Sequence, residues 1–257
     1  MFKKSNWLRQ LGRWGARRLL RRSYRIFQRM PTQLQTLHKS KILVVAPHMD
    51  DEVIAPGGTL LLHRQIGSSM AVVFTSDSSG DASQTGIANE SQIRREEAKA
   101  AGQFLGFTQI HFLNFPDGKL PRYEDRLAES LLPILFGWAP DTIFVPFPTD
   151  HHRDHQATTA AVALAIQQGK WKGEVWCYEV WSPLWPNTAI DISSVIEQKR
   201  QAISLHASQM KNMNYIEAAL GLNRYRGLKV GVDYAEAFFV CSASQFVYYC
   251  DELLHRI

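Results

Sequence analysis

Short apolar runs rich in β-branched residues alternate with helical patterns along most of this 257-residue chain. The first run, KILVVA at 41–46, is bounded by Pro47 and is typical of a buried parallel strand. Similar runs follow at 70–75, 110–114, 142–146, 174–180 and 237–241, with helical patterns at 58–65, 90–105, 125–136, 154–168 and 195–210. This alternation predicts an α/β domain with a mostly parallel sheet and helices on both of its faces.

The charge of the chain is divided unevenly. Residues 1–40 contain eleven of the 29 Lys and Arg residues and no Asp or Glu, which leaves 18 basic and 24 acidic residues in 41–257. The basic pI near 9.1 therefore comes from an N-terminal arm on a mildly acidic body. Because the body lacks excess positive charge, we expect no nucleic-acid partner. The division predicts an arm and linker at 1–40 and a globular domain at 41–257.

The arm has the pattern of a basic amphipathic helix. Trp7, Leu8, Leu11 and Trp14 would share one helical face, and arginines fill many of the remaining positions. This pattern is typical of a helix at a membrane interface, with Trp at headgroup depth and Arg against anionic lipid. Two other uses stay open: a charged helix packed on the acidic body, or an Arg-rich transit peptide. An anionic membrane surface touched by residues 1–30 is thus one candidate partner.

The cysteines and the absence of long apolar stretches bear on location. Cys177, Cys241 and Cys250 are widely spaced and form no CxxC pair, which argues against a disulfide framework and a thiolate zinc site. No stretch reaches the roughly 20 apolar residues of a membrane helix, and residues 1–30 lack the apolar core of a secretory signal. We expect a cytoplasmic protein, peripheral on the cytoplasmic face of a membrane if the arm binds lipid.

Two loops that follow predicted strands are rich in metal-binding side chains. The first reads PHMDDE at 47–52 and the second DHHRDH at 150–155. In open α/β sheets, ligands bind beyond the carboxyl ends of the strands, so both loops are expected to border one cavity. Imidazole and carboxylate ligands suit Zn²⁺, and Fe²⁺ could use the same set. No GxGxxG follows the first strand, so a dinucleotide site is not supported.

Either loop alone has an ordinary structural explanation. An isolated HxxH or DD sequence usually consists of polar surface residues without a functional role, and Asp51 with Glu52 could cap a helix. Two such loops after strands of one sheet are harder to explain in this way. Adjacent carboxylates such as Asp50 and Asp51 point in different directions, so that one can bind a metal while the other faces a water molecule.

The same loops resemble the motifs of a known family. PHMDDE is similar to the AHPDDE motif of the PIG-L/LmbE-like zinc-dependent N-acetylglucosaminyl deacetylases, and HRDH at 152–155 is similar to their HPDH motif. The resemblance extends from about residue 41 to about residue 241 and implies a Rossmann-like fold. Its further matches are Gly57-Gly58, the RxxExxxAxxxLG run at 94–106, Pro116-Asp117-Gly118, the KxxAxxxHxSQ run at 199–209 and AEAF at 235–238.

The resemblance also implies roles for individual residues. It implies a single zinc ion held by His48, Asp51 and His155. Asp50 would then be the general base, His152 would stabilise the oxyanion, and Asp154 would orient His152. The implied function is hydrolysis of the N-acetyl group of an N-acetylglucosamine-type sugar conjugate, with a glycolipid favoured if the arm binds membrane.

Four residues are candidates for substrate binding. Arg94 resembles a substrate-contacting arginine of the family, although an ion pair on a helix surface is the alternative. Asp77 could bond to sugar hydroxyls or cap its loop. Asp117 lies in the matched turn, and Arg153, which replaces a family proline, adds a cation that could meet an anionic substrate.

Other segments leave alternatives open. Trp171, Trp176, Trp181 and Trp185 could form a sugar-stacking wall, but core packing or an oligomer interface is favoured. Residues 222–227 (LNRYRG) could form a lid, with a fixed surface loop as the alternative. Two other functions fit the motifs: a zinc amidohydrolase acting on a non-sugar amide, and a membrane-tethered binding module without turnover. The intact Asp50 and His152 favour an enzyme, and a homo-oligomer is compatible with the sequence.

Overall fold

The computed structural model describes residues 32–80, 90–211 and 213–254. The amphipathic arm at 1–30 lies outside these residues, so its helical character stays a prediction. Within the described part of the chain, no helix combines the length and apolar character needed to cross a membrane.

One mixed, mostly parallel sheet forms the centre of the fold. Within the described residues its eight strands lie in the order β1-β7-β8-β6-β5-β2-β3-β4. Their bounds are β1 Gln33–Leu34, β2 Lys41–Ala46, β3 Ser69–Ser76, β4 Gln109–Phe115, β5 Thr142–Pro146, β6 Glu174–Tyr178, β7 Thr188–Asp191 and β8 Ala235–Ser242. β8 runs antiparallel to β6 and β7, and the other neighbouring strands are parallel. The predicted strands and the parallel character are confirmed, whereas β1 and β7 were not predicted.

Helices cover both faces of this sheet, which confirms the predicted fold class. Their bounds are α1 Asp51–Ile54, α2 Gly57–Gln65, α3 Glu90–Leu105, α4 Glu124–Trp138, α5 Arg153–Gly169, α6 Ile196–Ser204, α7 Tyr215–Val230 and α8 Ala243–Leu254. One apolar core contains residues of α2, α3, α6 and α7, and a second contains residues of α4, α5 and α8. β2 contributes Ile42 and Val44 to the first core and Leu43 and Val45 to the second, which explains its uninterrupted apolar sequence.

Three predictions about local structure need correction. The helix predicted at 195–210 ends at Ser204, and a 3₁₀ turn follows at Gln209–Lys211. The lid predicted at 222–227 is wrong, because these residues lie within α7, where Arg226 binds the buried carboxylate of Glu179 at 2.8 Å. The polar linker predicted before residue 41 contains β1, which pairs with β7 at the edge of the sheet.

The strand order places the two predicted metal loops side by side. β2 pairs with β3 on one side and with β5 on the other, and the chain passes to β3 and β4 before it returns to β5. The carboxyl ends of β2 and β5 therefore meet at a topological switch point, where open α/β sheets bind their ligands. The first metal loop connects β2 to α1, and the second metal loop connects β5 to α5.

A buried ion pair fixes α2 against β8. Lys199 Nζ lies 2.6 Å from Glu236 Oε1 and also donates to Ala55 O, and both side chains are almost completely buried. The two oxygens of Glu236 accept the N–H groups of Gly58 and Thr59 at 2.7 Å each. Gly58 has no substitute here, since a Cβ atom would lie 2.9 Å from Ile192.

Replacing Lys199 tests how strongly this pair holds the fold. Lys199→Met leaves the Glu236 carboxylate buried without its cation, and we expect the free energy of unfolding to fall by about 3–5 kcal/mol. The control is Arg200→Met on the same helix, whose partly exposed pair with Glu217 predicts a loss below about 1 kcal/mol. Urea unfolding measures both, and equal losses would contradict this account.

Candidate metal centre

Three predicted ligand atoms lie at the corners of a nearly equilateral triangle. His48 Nδ1 lies 3.3 Å from His155 Nε2 and 3.6 Å from Asp51 Oδ2, and the latter two atoms are 3.4 Å apart. A tetrahedral zinc ion with bonds of about 2.0–2.1 Å would hold its ligand atoms roughly 3.3–3.4 Å apart. These residues therefore fit a tetrahedral Zn²⁺ ion.

His152 offers a further nitrogen near this triangle. One ring nitrogen each of His48, His152 and His155 lies within 4.8 Å of the others. The triangle with Asp51 is tighter, and it combines two imidazoles with one carboxylate. The geometry therefore favours Asp51 over His152 as the third ligand, which is the residue that the family resemblance implies.

His48 is oriented by acidic side chains behind it. Its Nε2 lies 3.0 Å from Asp117 Oδ1 and 3.5 Å from Asp154 Oδ2, so the ring proton belongs on Nε2 and the Nδ1 lone pair is available for a metal. Burial lowers the pKa of His48, but its hydrogen bonds to Asp117, Asp154 and Asp51 outweigh burial and raise the pKa well above its usual value. The surroundings of His48 thus favour a positive charge.

His155 faces a carboxylate that the sequence analysis did not assign. Its Nδ1 lies 3.4 Å from Asp150 Oδ1. Asp150 also accepts the N–H groups of His152 at 2.9 Å and Trp181 at 3.0 Å. Burial raises the pKa of Asp150, but His155 and these N–H groups outweigh burial and lower it. Its place before His152 in the second loop was the only sequence signal for this role.

Asp51 remains ionised in the centre. Burial would raise its pKa, but His155 and His48 outweigh burial and lower the pKa to about 2. Its Oδ2 also accepts the N–H of His48 at 2.8 Å, which closes the first loop on itself. An ionised carboxylate beside two imidazoles is a ligand set that suits a catalytic zinc ion.

Asp50 is the second carboxylate of the first loop and lines the same cavity as His48 and Asp51. Burial raises the pKa of Asp50 to about 6, and Asp51 also raises it, although Arg94 opposes both. Arg94 Nη2 lies 3.4 Å from Asp50 Oδ2. The Asp50 N–H donates to Glu52, whose other oxygen lies 3.0 Å from His206 Nε2. The contact with Arg94 therefore holds the Asp50 carboxylate in place, and its pKa of about 6 lets it exchange a proton near neutral pH.

The predicted role of Asp154 in orienting His152 needs correction. The Asp154 carboxylate accepts the N–H groups of Gly118 at 2.7 Å and Leu120 at 3.1 Å and lies close to His48. It is instead the backbone N–H of Asp154 that donates to His152 Nδ1, at 3.2 Å, as the N-terminal cap of α5. This bond leaves the proton of a neutral imidazole on Nε2.

The electrostatic state of His152 agrees with that tautomer. Its pKa is lowered by partial burial, and the neighbouring His48 and His155 lower it further. The ring is therefore neutral at neutral pH and can donate a hydrogen bond through Nε2.

The substrate-binding predictions have mixed outcomes. Arg94 and Asp117 line the cavity, but Asp117 also bonds to His48 and so supports the metal centre. Asp77 is absent from the described cavity lining and caps its own loop by accepting the N–H groups of Ser79 and Asp117. Arg153 is exposed at the start of α5 and also lies outside that lining, so the structure gives neither of these two residues a substrate contact.

The catalytic cavity has a volume of about 640 Å³ and an aromatic wall. Trp181 is 43% exposed, and its ring centroid lies 6.2 Å from that of Tyr215 and 6.5 Å from that of His152. Trp176, by contrast, packs between Phe144 and Phe238 in the core. Only one of the four tryptophans therefore reaches the described cavity, and no motif pointed to Tyr215.

Asp117→Asn tests the support of His48. An asparagine oxygen can still accept from Nε2, but the negative charge that orients and polarises the ring is lost. We expect zinc affinity to fall about 10- to 100-fold, as for other residues that support metal-bound histidines. Competition with a chelator measures the affinity, and Asp125→Asn on the exposed face of α4 is the control. Unchanged affinity in Asp117→Asn would contradict this role.

Comparison with known proteins extends the sequence resemblance. The family model described as PIG-L, GlcNAc-PI de-N-acetylase, matches residues 43–166. A diacetylchitobiose deacetylase from Thermococcus kodakarensis is 26% identical over 187 residues, which is 66% of this chain and 70% of that protein. A 4-oxalmesaconate hydratase from Pseudomonas putida is 29% identical over 204 residues, which is 70% of this chain and 78% of that protein.

A solved structure agrees with the fold. The N,N'-diacetylchitobiose deacetylase of Pyrococcus horikoshii matches with a TM-score of 0.71 and 26% identity, covering 80% of this chain and 86% of that one. The segment matched by the family model contains both loops of the metal centre. Together, the family model at 43–166, the relatives named as deacetylases and the solved structure support a PIG-L/LmbE-like deacetylase, a hydrolase of the amide bond.

Proposed function

We propose that this protein hydrolyses the N-acetyl group of an N-acetylglucosamine-type sugar conjugate, with Zn²⁺ held by His48, Asp51 and His155. The observation that carries the proposal is the ligand triangle with a spare carboxylate, Asp50, in the same cavity. The deacetylase from T. kodakarensis supports the choice of an N-acetylated sugar. Fe²⁺ is the second candidate ion, because it accepts the same nitrogen and oxygen ligands.

The reaction needs a proton acceptor and a proton donor. A zinc ion in this site would polarise the acetamide carbonyl and acidify a water molecule. Asp50 accepts a proton as the water oxygen attacks the carbonyl carbon, and it returns the proton to the amine nitrogen as the C–N bond breaks. The products are acetate and a free amino sugar. A pKa of about 6 lets Asp50 perform both transfers near neutral pH.

His152 supplies a hydrogen bond to the oxyanion. Because its Nδ1 accepts the Asp154 N–H, its Nε2–H is the free donor of a neutral ring. Donors of this kind typically contribute about 10²–10³ in rate. The proposed donor is thus a neutral imidazole, held in place by the start of α5.

Arg94 and the aromatic wall are the proposed substrate contacts. Arg94 lines the cavity, and its buried Nε has no hydrogen-bond partner among the described residues, so the guanidinium has a donor to spare beyond its bonds to Met49 and Asp50. Trp181 and Tyr215 offer ring faces and edges against which the apolar face of a sugar can pack. Both contacts suit a neutral, hydroxyl-rich substrate.

The relative in P. putida gives a second candidate function, hydration of a carboxylate-bearing substrate. The charges of the cavity argue against it. Among the described residues that line the cavity, the Lys and Arg side chains are Lys119 and Arg94, and Arg94 already pairs with Asp50. The carboxylates of Asp50, Asp51 and Asp117 face the same space, so a multiply anionic substrate would be repelled.

An acetate-release assay with metal analysis tests the main proposal. We expect the zinc-loaded protein to release acetate from N-acetylglucosamine conjugates, and Asp50→Asn to lower kcat about 10²- to 10⁴-fold while zinc stays bound. His151→Ala, which alters an exposed neighbour of His152, serves as the control and should keep full activity. Wild-type activity in Asp50→Asn, or activity confined to hydration, would overturn the assignment.

We also propose that the basic arm at 1–30 binds an anionic membrane surface and that the enzyme is cytoplasmic. The hydroxyl group of Thr32, the first described residue, donates to Pro186 O. The N–H of Gln33 donates to Asn187 O at the edge of the sheet. The arm thus joins the body beside Pro186, which follows the cavity residue Trp181 by five positions in the sequence. Binding of residues 1–30 to an anionic bilayer would bring the enzyme to sugars that are attached to lipids, which favours a glycolipid substrate.

Vesicle flotation of the full chain tests the arm. We expect binding to phosphatidylcholine vesicles that contain phosphatidylglycerol and little binding to phosphatidylcholine alone. Each basic residue near such a surface contributes about 1 kcal/mol, so a combined change of four arginines to glutamine should abolish most of the binding: Arg17, Arg18, Arg21 and Arg22. Equal flotation of both proteins would remove the membrane from the proposal.

A further inference from the structure

A second cavity, of about 150 Å³, lies directly beside the catalytic cavity. The two share four lining residues: Ile54, Val180, Trp181 and Tyr215. We propose that this cavity binds a short apolar group of the substrate, an alkyl chain or small ring joined to the N-acylated sugar. The inference rests on the proposed function, since it assigns a further part of the same substrate.

The lining of the second cavity is mainly apolar. Aliphatic, aromatic and sulfur-containing side chains make up most of it: Ile54, Ala55, Val180, Met213, Ala218, Ala219, Leu222, Ala237 and Phe238. The catalytic cavity, by contrast, is lined by the imidazole and carboxylates of the metal centre. A sugar ring with many hydroxyl groups fits the polar cavity, and an alkyl group gains free energy in the apolar one.

The acidic residues of the second cavity are already neutralised. Glu179 binds Arg226 through both carboxylate oxygens and also accepts the N–H of Leu184. Glu236 binds Lys199 and two backbone N–H groups of α2. Neither carboxylate therefore needs a charged group of the ligand, which excludes a second amino sugar as the best occupant.

One polar atom in the lining is left without a partner. Asn223 is buried and donates from Nδ2 to Ala235 O, but its Oδ1 has no hydrogen-bond partner among the described residues. An unpaired buried acceptor of this kind is destabilising until a donor reaches it. A hydroxyl or N–H at the edge of the bound group would satisfy it, so the cavity suits an apolar group with one donor.

The volume limits the size of the occupant. At roughly 30 Å³ for each water-sized group, 150 Å³ holds about five non-hydrogen atoms. A butyl to hexyl chain is of this size, whereas a long lipid tail would extend beyond the cavity. The cavity therefore selects the first few carbon atoms of an apolar substituent.

The walls of the second cavity are tied to the metal centre. Ile54 ends α1, which begins at the metal ligand Asp51. Trp181 donates its N–H to Asp150, which faces the other side of His155. A group in the second cavity is thus held at a fixed position relative to the reacting amide. It can reach that position from either end of the substrate, as a longer N-acyl chain or as the aglycone.

Two substrate series separate these sources. The first varies the acyl group of methyl glucosaminide from acetyl to hexanoyl, and the second varies the alkyl aglycone of N-acetylglucosaminides from methyl to hexyl. We expect one series to gain up to about fourfold in kcat/KM for each methylene, levelling off near the fifth carbon. The series that gains identifies the group that occupies the cavity. Flat kcat/KM in both series would overturn the proposal.

A cavity-filling variant ties any gain to this site. Ala218→Leu adds an apolar side chain to the lining, and we expect the ratio of kcat/KM for the longest and shortest substrates to fall to near one. Gly221→Leu is the matched control, because its added side chain lies on the same helix in open space. This control should keep the wild-type ratio. A wild-type ratio in Ala218→Leu would also overturn the proposal.

Binding measured without turnover tests the apolar site separately from the proposed hydrolysis. Calorimetry on zinc-loaded Asp50→Asn should show tighter binding of the long than of the short member of one series. If wild type releases no acylate from any member but this preference persists, the proposed reaction fails while the apolar site stands. If all members bind equally, the apolar site fails whatever the wild type hydrolyses.

Discussion

The structure depends on a concentration of buried acids around two imidazoles at the carboxyl ends of β2 and β5. Five aspartates lie in or beside the centre: Asp50, Asp51, Asp117, Asp150 and Asp154. Among the described Lys and Arg side chains, Arg94 forms an ion pair with one of them, Asp50. Buried carboxylates repel one another unless positive charge is supplied. The raised pKa of His48 and the lowered pKa of Asp51 show the direction of that demand, which a divalent cation meets.

The acids also hold the loops that carry the ligands. Asp154 binds two N–H groups of the turn at 118–120, which places Asp117 against His48. Asp150 binds the N–H groups of His152 and Trp181 and so joins the second metal loop to the aromatic wall. One set of carboxylates therefore fixes ligand orientation, cavity shape and charge together. Replacing outer residues of this kind typically lowers metal affinity or activity about 10- to 100-fold.

Most of the errors in the sequence predictions concern where a charged side chain points. Arg226 has a buried acidic partner, Glu179, that no local pattern indicates. The Asp154 carboxylate binds the N–H groups of Gly118 and Leu120 rather than His152, and Arg153 turns outward at the first position of α5. A helical or loop position determines the start of a side chain, but the partner that holds its end comes from a distant segment. The role of a single charged residue therefore depends on tertiary contacts, whereas the two metal-binding motifs are contained in short segments.

The alternation of strands and helices can be read from the amino-acid sequence, and so can the imidazole and carboxylate side chains of the two metal loops. These features are local, because apolar periodicity and adjacent ligand residues are carried by short segments. Tertiary structure alone decided that β2 and β5 are neighbours, which brings His48 and His155 within 3.3 Å across 107 residues of chain. It also decided which acid supports which imidazole, and it created the apolar cavity between α7 and the sheet. The physical reason is that strand order and side-chain packing depend on contacts between distant segments, which no short stretch of sequence encodes.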